Sequence, residues 1–515
     1  MRRTVPCPEN RRSCLPSGLA AVLLASLLGA CSASSVAPDH VDDVGSGSVV
    51  LFDETLALED GGTLSYQRGI ATVPLRRDRP GSGTVEVEFF RFRRAAEAAP
   101  DTPPIVILHG GPGFEGLGPR LERPGYFEAR LARYTQIADV VVPGQRGFGS
   151  SGATPCEPVR ELSVEEALEP AVRQRAISEA TARCRDRWRS DGLDLVGFNV
   201  VEASADVAEI ARHLGYRQIQ LRGTSFGSHW GLAILRDHPK LVARATLAGL
   251  EGPDHTYDRP GGVLAALEQI AAAAEASPAL APRIPDGGLL AAYSRLVERA
   301  DLEPIAVEVD HPQTGDAMTI PLDGDALRHI LHGTRRFTSF RFRMPQWPVS
   351  LLEMVEGDLR AAGASHVWNL LDPELENAAY YQYDCGSGIS AARRKRLQAD
   401  PAVGLLGPTW RRLDGFCEAW DADLGEGFRE PFRTAVPTVL VQGTWDTSTP
   451  FENAVELRPF FADHHFVQVE GGSHGALREA IEEVPGFREA MDRWLATGEV
   501  EQLPGRVELP PVEWR

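Results

Sequence analysis

The sequence lacks an excess of positive charge: its 53 lysines and arginines face 72 aspartates and glutamates, for a formal net charge of −19 at pH 7. The phosphates of a nucleic acid would repel so acidic a chain, so nucleic acid is excluded as a partner. Net charge says little about the fold. The 515 residues, 43% hydrophobic and 24% charged, allow a large core and more than one structural unit.

The sequence also lacks the motifs that bind nucleotides or metals. The glycine-rich stretch HGGPGFEG (109–116) has no Lys-Ser/Thr pair, which a phosphate-binding loop needs, and no dinucleotide fingerprint occurs. No Cys-x-x-Cys or paired-histidine spacing accompanies the cysteines, which argues against a metal site. We therefore expect neither a cofactor nor a metal.

Long hydrophobic runs are missing too, and the apolar stretch LAAVLLASLLGA (19–30) is too short to span a bilayer. Arginines precede it, an order typical of an export signal, here residues 1–30. Its last three residues and the next residue, Cys31, form Leu-Gly-Ala-Cys. This sequence resembles a bacterial lipoprotein signal and implies acylation of Cys31. Residues 31–50 would then tether the protein to the cell envelope, at the outer membrane or periplasm of a diderm cell. The alternative is an ordinary cleaved signal peptide with Cys31 incidental.

Cysteine is scarce, with seven in the chain. Two would leave with the signal and Cys31 would carry lipid, which leaves Cys156, Cys184, Cys385 and Cys417. An even number in an oxidising compartment predicts two disulfides. Of the three pairings that four cysteines allow, we expect the one between nearest neighbours, 156 with 184 and 385 with 417. The alternative is four buried thiols.

The chain does contain an alternation of strand and helix patterns. The alternating segment 83–94 predicts an antiparallel strand paired with residues 69–75, and residues 200–215 predict a helix capped by Asn199 with Glu202. Continuous apolar runs predict buried parallel strands. These runs are PPIVILHGG (103–111), IADVVVPGQRGFG (137–149), VPTVLVQG (436–443) and HHFVQVEGG (464–472).

Between about residues 252 and 430 the alternation stops, and alanine-rich helix formers dominate. We therefore predict an α/β fold with a mostly parallel sheet flanked by helices. Its core comprises residues 51–251 and 431–515, and a mainly helical cap, residues 252–430, interrupts it.

The stretch QIQLRGTSFGSHWGLAILRDHP (218–239) carries the strongest chemical signal. A strand end leads through Gly-Thr-Ser-Phe-Gly into a run with helical spacing, so Ser225 lies on a turn between a strand and a helix. Such a turn exposes the hydroxyl at the edge of the sheet, and Gly223 and Gly227 relieve the crowding that it creates. Ser225 is therefore the candidate nucleophile, which needs an adjacent base.

Backbone amides near Ser225 are the candidate oxyanion donors. The amide of Phe226 follows the serine on the same turn. The segment HGGPG (109–113) follows a predicted strand, and its glycines let amides approach a ligand closely. Gly110 or Gly111 would supply the second donor.

Two further loops supply a candidate base and its partner. Asp446 lies in GTWDTSTP (443–450) and His474 in GGSHG (471–475), each after a predicted strand. His474 would accept the proton of Ser225 and pass it to the leaving group, while Asp446 orients the imidazole. Taken alone, Asp446 would be interpreted as a turn residue and His474 as a surface histidine. His229, one helical turn after Ser225, is expected to be structural.

Together these motifs resemble the prolyl aminopeptidase and tripeptidyl aminopeptidase branch of the α/β-hydrolases, over about residues 60–495. The resemblance implies an α/β-hydrolase fold and a serine exopeptidase that acts on free N-termini under a helical cap. The order Ser, Asp, His along the chain agrees with it, and the paired cysteines resemble those of secreted tripeptidyl aminopeptidases. Its most specific motifs are HGGPG (109–113), GQRGFGSSG (144–152), GTSFG (223–227), DTSTP (446–450) and GGSHG (471–475).

One position departs from the family pattern, which commonly has Asp-Gln-Arg-Gly where this chain has Gly144 before Gln-Arg-Gly. A contact between that Asp and Arg146 is therefore expected to be missing. The family also holds the substrate's amino group with acidic cap residues, since a buried cation needs a negative partner. Glu251 and Asp254 are the nearest candidates here, and the alternative for both is a solvated acidic loop.

We therefore expect a serine hydrolase of the cell envelope, an aminopeptidase acting on short peptides. An esterase or amidase is the alternative, because the triad does not choose between esters and amides. A surface lipoprotein that only binds is an alternative of another class. Epoxide hydrolysis and dehalogenation need a carboxylate nucleophile, and position 225 is Ser. The expected partners are a small peptide or ester and, through the N-terminal lipid alone, a membrane.

Overall fold

The computed structural model describes residues 47–114, 116–149, 156, 161–311, 314–371, 378–410, 416–420 and 422–514. The expected export signal, Cys31 and most of the expected tether lie outside the described residues. The first strand begins at Ser48, so the last three residues of the expected 31–50 tether belong to a strand. Among the described residues, no helix combines the length and apolarity needed to cross a membrane.

A ten-stranded sheet in the order β1-β2-β3-β5-β4-β6-β7-β10-β11-β12 organises the described chain, and β8 and β9 form a separate hairpin. From β5 to β12 every neighbouring pair is parallel, whereas β1, β2, β3 and β5 pair antiparallel. The strands are β1 (Ser48–Ala57), β2 (Thr63–Pro74), β3 (Thr84–Phe92), β4 (Ile105–Leu108), β5 (Val140–Pro143), β6 (Ile219–Thr224), β7 (Val242–Ala248), β8 (Ile305–Asp310), β9 (Ala317–Leu322), β10 (Thr438–Gly443), β11 (His464–Glu470) and β12 (Arg506–Glu508).

The parallel centre forms because its strands are apolar on both faces. Every residue of β4, β5 and β10 is buried. Neighbouring residues of β4 belong to different hydrophobic cores. Val106 packs in the core on one face of the sheet, and Ile107 packs in the core on the other face. Such burial on both faces explains why the runs read as continuous hydrophobic stretches. The antiparallel pairing of residues 69–75 with 83–94 is confirmed by the register Gly69↔Phe89 between β2 and β3.

Among the described residues, seven α-helices lie between β3 and β7, and the longer ones cover the sheet. Helix α6 begins as predicted, because the Asn199 side chain accepts hydrogen bonds from the amides of residues 201 and 202, each at 2.9 Å. The Glu202 side chain does not cap the helix but binds Arg77, with Nη1 at 2.7 Å from the carboxylate. The helices are α1 (Gly118–Leu121), α2 (Tyr126–Arg130), α3 (Ala132–Thr135), α4 (Val164–Leu168), α5 (Pro170–Ser190), α6 (Val200–His213) and α7 (Phe226–Asp237).

The segment between β7 and β10 is mostly helical and has a hydrophobic core of its own, which includes Leu267, Tyr293 and Trp347. The hairpin β8–β9 belongs to this segment and was not predicted, because each strand has only six residues and lies among helices. The helices are α8 (Pro260–Glu275), α9 (Leu289–Leu302), α10 (Gly324–Gly333), α11 (Arg335–Thr338), α12 (Gln346–Val355), α13 (Arg360–Leu371), α14 (Ala378–Ser387), α15 (Ala391–Gln398), α16 (Val403–Leu406), α17 (Glu418–Trp420) and α18 (Glu426–Arg429).

After β10 the chain returns to the sheet with three helices, α19 (Phe451–Leu457), α20 (Ala476–Glu483) and α21 (Phe487–Thr497). The predicted final helix is divided into α20 and α21 at Pro485, which cannot continue a helix.

Both disulfides have the expected nearest-neighbour pairing. Cys156 bonds Cys184 and Cys385 bonds Cys417, with a Cα–Cα distance of 5.2 Å in each. Structural disulfides persist in oxidising compartments, so they indicate an exported protein.

Candidate active site

Ser225 occupies the sharp turn between β6 and α7 that the sequence predicts. Its backbone has φ 60° and ψ −133°, and among the described residues it is the only non-glycine with positive φ. Its amide donates to the carbonyl oxygens of Ala248 and Gly249, both at 3.1 Å, so the end of β7 holds the turn in place. A side chain at positive φ is strained, and such strain concentrates at functional sites.

The two glycines of Gly-Thr-Ser-Phe-Gly are required by close backbone packing. A Cβ on Gly223 would lie 2.1 Å from the carbonyl oxygen of Gly227. A Cβ on Gly227 would lie 2.2 Å from the carbonyl oxygen of Leu108 in β4. Any side chain at either position would displace the backbone, and the turn therefore keeps its shape only with glycine.

Asp446 lies after β10 and is fully buried. Its Oδ1 accepts hydrogen bonds from the amides of Ser448 and Thr449, both at 2.9 Å, and its Oδ2 accepts from the Thr449 hydroxyl at 2.8 Å. Gln442 Nε2 donates to the same Oδ2 at 3.1 Å. Burial opposes the charged form, but the charge and hydrogen bond of His474, with the bonds from Thr449, lower the pKa of Asp446. The carboxylate is therefore anionic at neutral pH.

His474, in the loop after β11, pairs with Asp446. Its Nδ1 lies 3.1 Å from Oδ1 and 3.0 Å from Oδ2 of that carboxylate. Because a carboxylate can only accept, Nδ1 carries the proton and Nε2 is left as the basic nitrogen. Burial favours the neutral ring, yet the charge and hydrogen bond of Asp446 outweigh it and raise the pKa of His474.

Ser225 and His474 line one cavity of about 640 Å³. Gly249 contacts both: it bonds the Ser225 amide, and a Cβ on it would lie 3.2 Å from Cε1 of His474. Within the described chain the Ser225 hydroxyl makes no hydrogen bond to the imidazole. Catalytic hydrogen bonds are often long before substrate binds, so this geometry is compatible with proton transfer.

The candidate oxyanion donors surround the same hydroxyl. Phe226 is the first residue of α7, where an amide has no acceptor within the helix. A Cβ on Gly110 would lie 3.5 Å from Ser225 Oγ, and Gly111 lines the same cavity. Gln145 supports this loop: its Oε1 accepts from the Gly113 amide at 2.9 Å.

Arg146 has a carboxylate partner although position 144 is glycine. Asp206 of α6 binds it through two oxygens, with Nε at 2.7 Å from Oδ2, and Arg146 is fully buried. The contact from position 144 is missing as expected, since Gly144 has no side chain, but another element supplies Arg146 with a carboxylate. Gly144 lies so close to β3 that a Cβ would be 2.8 Å from the carbonyl oxygen of Glu88.

The two acidic candidates for amino-group binding differ in their surroundings. Asp254 is engaged, since its carboxylate accepts from the amide and hydroxyl of Ser390 at 2.6 and 2.7 Å. Burial, followed by repulsion from Asp258 and Asp384, raises the pKa of Glu251 well above its ordinary value. Burial likewise raises the pKa of Asp258 to about 7, against the opposing charge of nearby arginines.

His229 is structural, as expected. It is 1% exposed, with Nδ1 at 3.0 Å from the carbonyl oxygen of Gly252 and Nε2 at 3.1 Å from Ser387 Oγ. The carbonyl only accepts, so Nδ1 carries the proton and Nε2 accepts from the serine. Burial lowers the pKa of His229 to about 4, and the ring joins α7 to the helical segment as a neutral group.

Sequence reasoning missed the residues that hold the triad loops. Gln442 binds Asp446 and also donates to the Thr449 carbonyl at 2.7 Å. The signal that could have identified Gln442 is its position in the otherwise apolar run VLVQG (439–443), because a buried amide needs hydrogen-bond partners. Gln145 and Thr449 had no comparable signal.

Comparison with known proteins identifies the family to which this fold belongs. A model of the alpha/beta hydrolase fold family matches residues 103–480. The structure of a proline iminopeptidase from Mycobacterium smegmatis is similar, with 16% identity, 83% of this chain and 97% of that chain covered, and a TM-score of 0.38. The structure of an esterase from Exiguobacterium antarcticum is similar with 14% identity, 87% of this chain and 100% of that chain covered, and a TM-score of 0.34. No curated protein sequence matches significantly. Because this family model covers most of the chain, the chain belongs to the alpha/beta hydrolase fold family.

Proposed function

We propose that this hydrolase is a serine aminopeptidase of the cell envelope, which releases residues from the free N-termini of short peptides. The observation that carries the proposal is the buried Asp446–His474 pair, which opens onto the cavity that also contains Ser225. A buried carboxylate, an imidazole with a free Nε2 and a strained serine are the parts of a nucleophilic relay.

In the proposed reaction, His474 Nε2 takes the proton of the Ser225 hydroxyl as Oγ attacks the scissile carbonyl carbon. The amides of Phe226 and of Gly110 or Gly111 stabilise the negative oxygen of the tetrahedral intermediate. The imidazolium then protonates the leaving amine, the C–N bond breaks, and an acyl-enzyme remains on Ser225. Water, deprotonated by His474, attacks the ester and releases the amino acid or short peptide.

The preference for free N-termini rests on acidic groups close to the triad. The carboxylate of Glu251 has no hydrogen-bond or ion-pair partner within the described residues, and Asp258 and Asp384 act on it electrostatically. An ammonium group would stabilise the charged form of such a carboxylate. We therefore assign amino-group binding to Glu251 and not to Asp254, whose carboxylate binds Ser390.

The envelope location rests on the two disulfides, which favour an oxidising compartment. We propose that Cys31 carries the lipid anchor and that residues 1–30 are removed. Mass spectrometry of the membrane fraction would detect an acylated N-terminal peptide, and a soluble protein without acyl groups would contradict the anchor.

Two measurements test the activity. A fluorophosphonate probe should label the wild-type protein and not Ser225→Ala, and absence of labelling would favour a binding protein without catalysis. The substrates are alanyl p-nitroanilide, its N-acetyl derivative and p-nitrophenyl acetate. We expect fast release from the free amine and slow release from the acetylated anilide. Equal rates would reject an aminopeptidase, and turnover of the ester alone would support an esterase.

A further inference from the structure

The cavity at Ser225 is rich in one kind of charge. Among the described residues, six arginines line it and no aspartate or glutamate does, although the whole chain carries a net charge of −19. In an acidic protein such a concentration of guanidinium groups is not explained by composition. The arginines are Arg120, Arg123, Arg130, Arg222, Arg343 and Arg478.

None of these six arginines forms an ion pair with another described residue, whereas many other arginines of the chain do. Three of them lie against aromatic rings instead: Arg120 is 4.9 Å from the centre of the Phe114 ring, and Arg222 is 5.3 Å from that of Tyr134. Arg343 stacks on its neighbour Phe342 in the same way. Aromatic faces hold the guanidinium groups in position without neutralising them.

The positive field of these groups reaches the loop beside the nucleophile. His109, in the segment next to Gly110, has its pKa lowered to about 3 by burial and by the charges of Arg120 and Arg222. Arg222 lies on β6 three residues before Ser225 and is half-buried. A half-buried guanidinium without a carboxylate partner keeps its full charge available to a ligand.

The acidic groups assigned to the substrate's amino group are not part of this lining. Glu251, which is assigned to that amino group, and the two aspartates that act on it electrostatically, Asp258 and Asp384, do not line the arginine-rich cavity. Glu251 follows β7, whereas Arg222 belongs to β6 and Arg120 to the segment after β4. Because β6 lies between β4 and β7 in the sheet, the strands that precede Arg120 and Glu251 lie on opposite sides of the strand that leads to Ser225.

We propose that the arginine-lined cavity binds a carboxylate on the leaving part of the substrate, namely the free C-terminus of a short peptide. This inference rests on the proposed aminopeptidase activity and adds the substrate class, a short zwitterionic peptide. Guanidinium groups bind carboxylates through paired, charge-assisted hydrogen bonds. The two ends of the substrate would then be recognised by opposite charges on either side of the scissile bond.

The experiment compares two substrates that differ only at the C-terminus, Ala-Ala and Ala-Ala-amide, with the purified protein at low ionic strength. We expect kcat/KM to be about 10-fold to 100-fold higher for the free acid, as a charge-assisted hydrogen bond would give. Sodium chloride should reduce this ratio, because salt screens the partly exposed arginines. Cleavage of both peptides at equal rates would overturn the inference and leave the aminopeptidase intact, whereas cleavage of neither would overturn both.

Variants of the cavity distinguish binding from other causes. Arg222→Gln and, on an exposed segment, Arg343→Gln should bring the acid-to-amide ratio towards 1 while the rate on Ala-Ala-amide stays within a few-fold. Two variants are needed because Arg222 lies within the sheet, where a substitution can impair folding. Arg343 lies outside the sheet, so its variant tests the same ratio without that effect. The matched control is Arg217→Gln, an exposed arginine before β6 at the opposite edge of the sheet, which should leave the ratio unchanged. Unchanged ratios in both cavity variants would refute the proposal.

Discussion

Replacement of Asp446 by asparagine tests the relay most directly, because it removes the charge and keeps the shape. The asparagine oxygen is expected to take the place of Oδ1, where two backbone amides donate at 2.9 Å and only an acceptor fits. The amide nitrogen then takes the place of Oδ2, facing the Gln442 donor, the Thr449 hydroxyl and His474 Nδ1. Since that nitrogen donates to Nδ1 of His474, while the oxygen is already engaged by two amides, we expect Nδ1 to accept and the ring proton to move to Nε2.

This tautomer cannot accept the proton of Ser225. The loss of the base in a triad of this kind lowers kcat by about 10⁴-fold, which corresponds to ~5 kcal/mol of transition-state stabilisation. The fold should survive, because one unsatisfied contact between Gln442 and the new amide costs about 1–3 kcal/mol of unfolding free energy.

The assay measures kcat on alanyl p-nitroanilide together with thermal unfolding, for Asp446→Asn and for a control, Asp463→Asn. Asp463 is exposed beside the first residue of β11, at the other edge of the sheet, and its variant should match the wild type in both measurements. A folded Asp446→Asn protein with kcat within tenfold of the wild type would refute the orienting role of Asp446.

Two further predictions follow, one from the pKa of His474 and one from the packing around Gly144. Because Asp446 raises the pKa of His474 despite its burial, kcat should fall as the pH drops through a midpoint above the ordinary 6.5; a profile with its midpoint below 6.5 would contradict this. Gly144→Asp should lower the unfolding free energy by about 1–3 kcal/mol, measured in urea, since its Cβ would lie 2.8 Å from the Glu88 carbonyl oxygen. A variant as stable as the wild type would contradict this prediction and show that β3 moves to accommodate the side chain.

Local pattern was sufficient wherever the physical cause is local. The Asn199 cap depends on amides two and three residues away, and the elbow at Ser225 depends on glycines two residues away, so both could be predicted. The continuous apolar runs of β4 and β10 likewise predicted strands buried on both faces. The hairpin β8–β9 was missed because short strands among helices carry a weak periodic signal.

Contacts between distant segments could not be derived in this way. The contact from position 144 to Arg146 is missing as expected, but no local pattern showed that α6 brings Asp206 to Arg146 from 60 positions along the chain. Gln442 and Ser390 are other examples, because the Leu250 amide reaches Gln442 Oε1 from 192 positions away and Asp254 binds Ser390 from 136 positions away. Nothing in the sequence distinguished Asp254, whose carboxylate binds Ser390, from Glu251, which is half-buried and has no hydrogen-bond or ion-pair partner among the described residues.

The sequence by itself determined the buried strands of the central sheet, the turn that exposes Ser225 and the residues proposed as base and acid. Only the tertiary structure decided which charges meet, since the arginines of the cavity come from the segment after β4, from β6, from the segment before α12 and from α20. The physical reason is that backbone conformation follows from neighbouring residues, whereas an electrostatic environment follows from distances in space that packing alone sets.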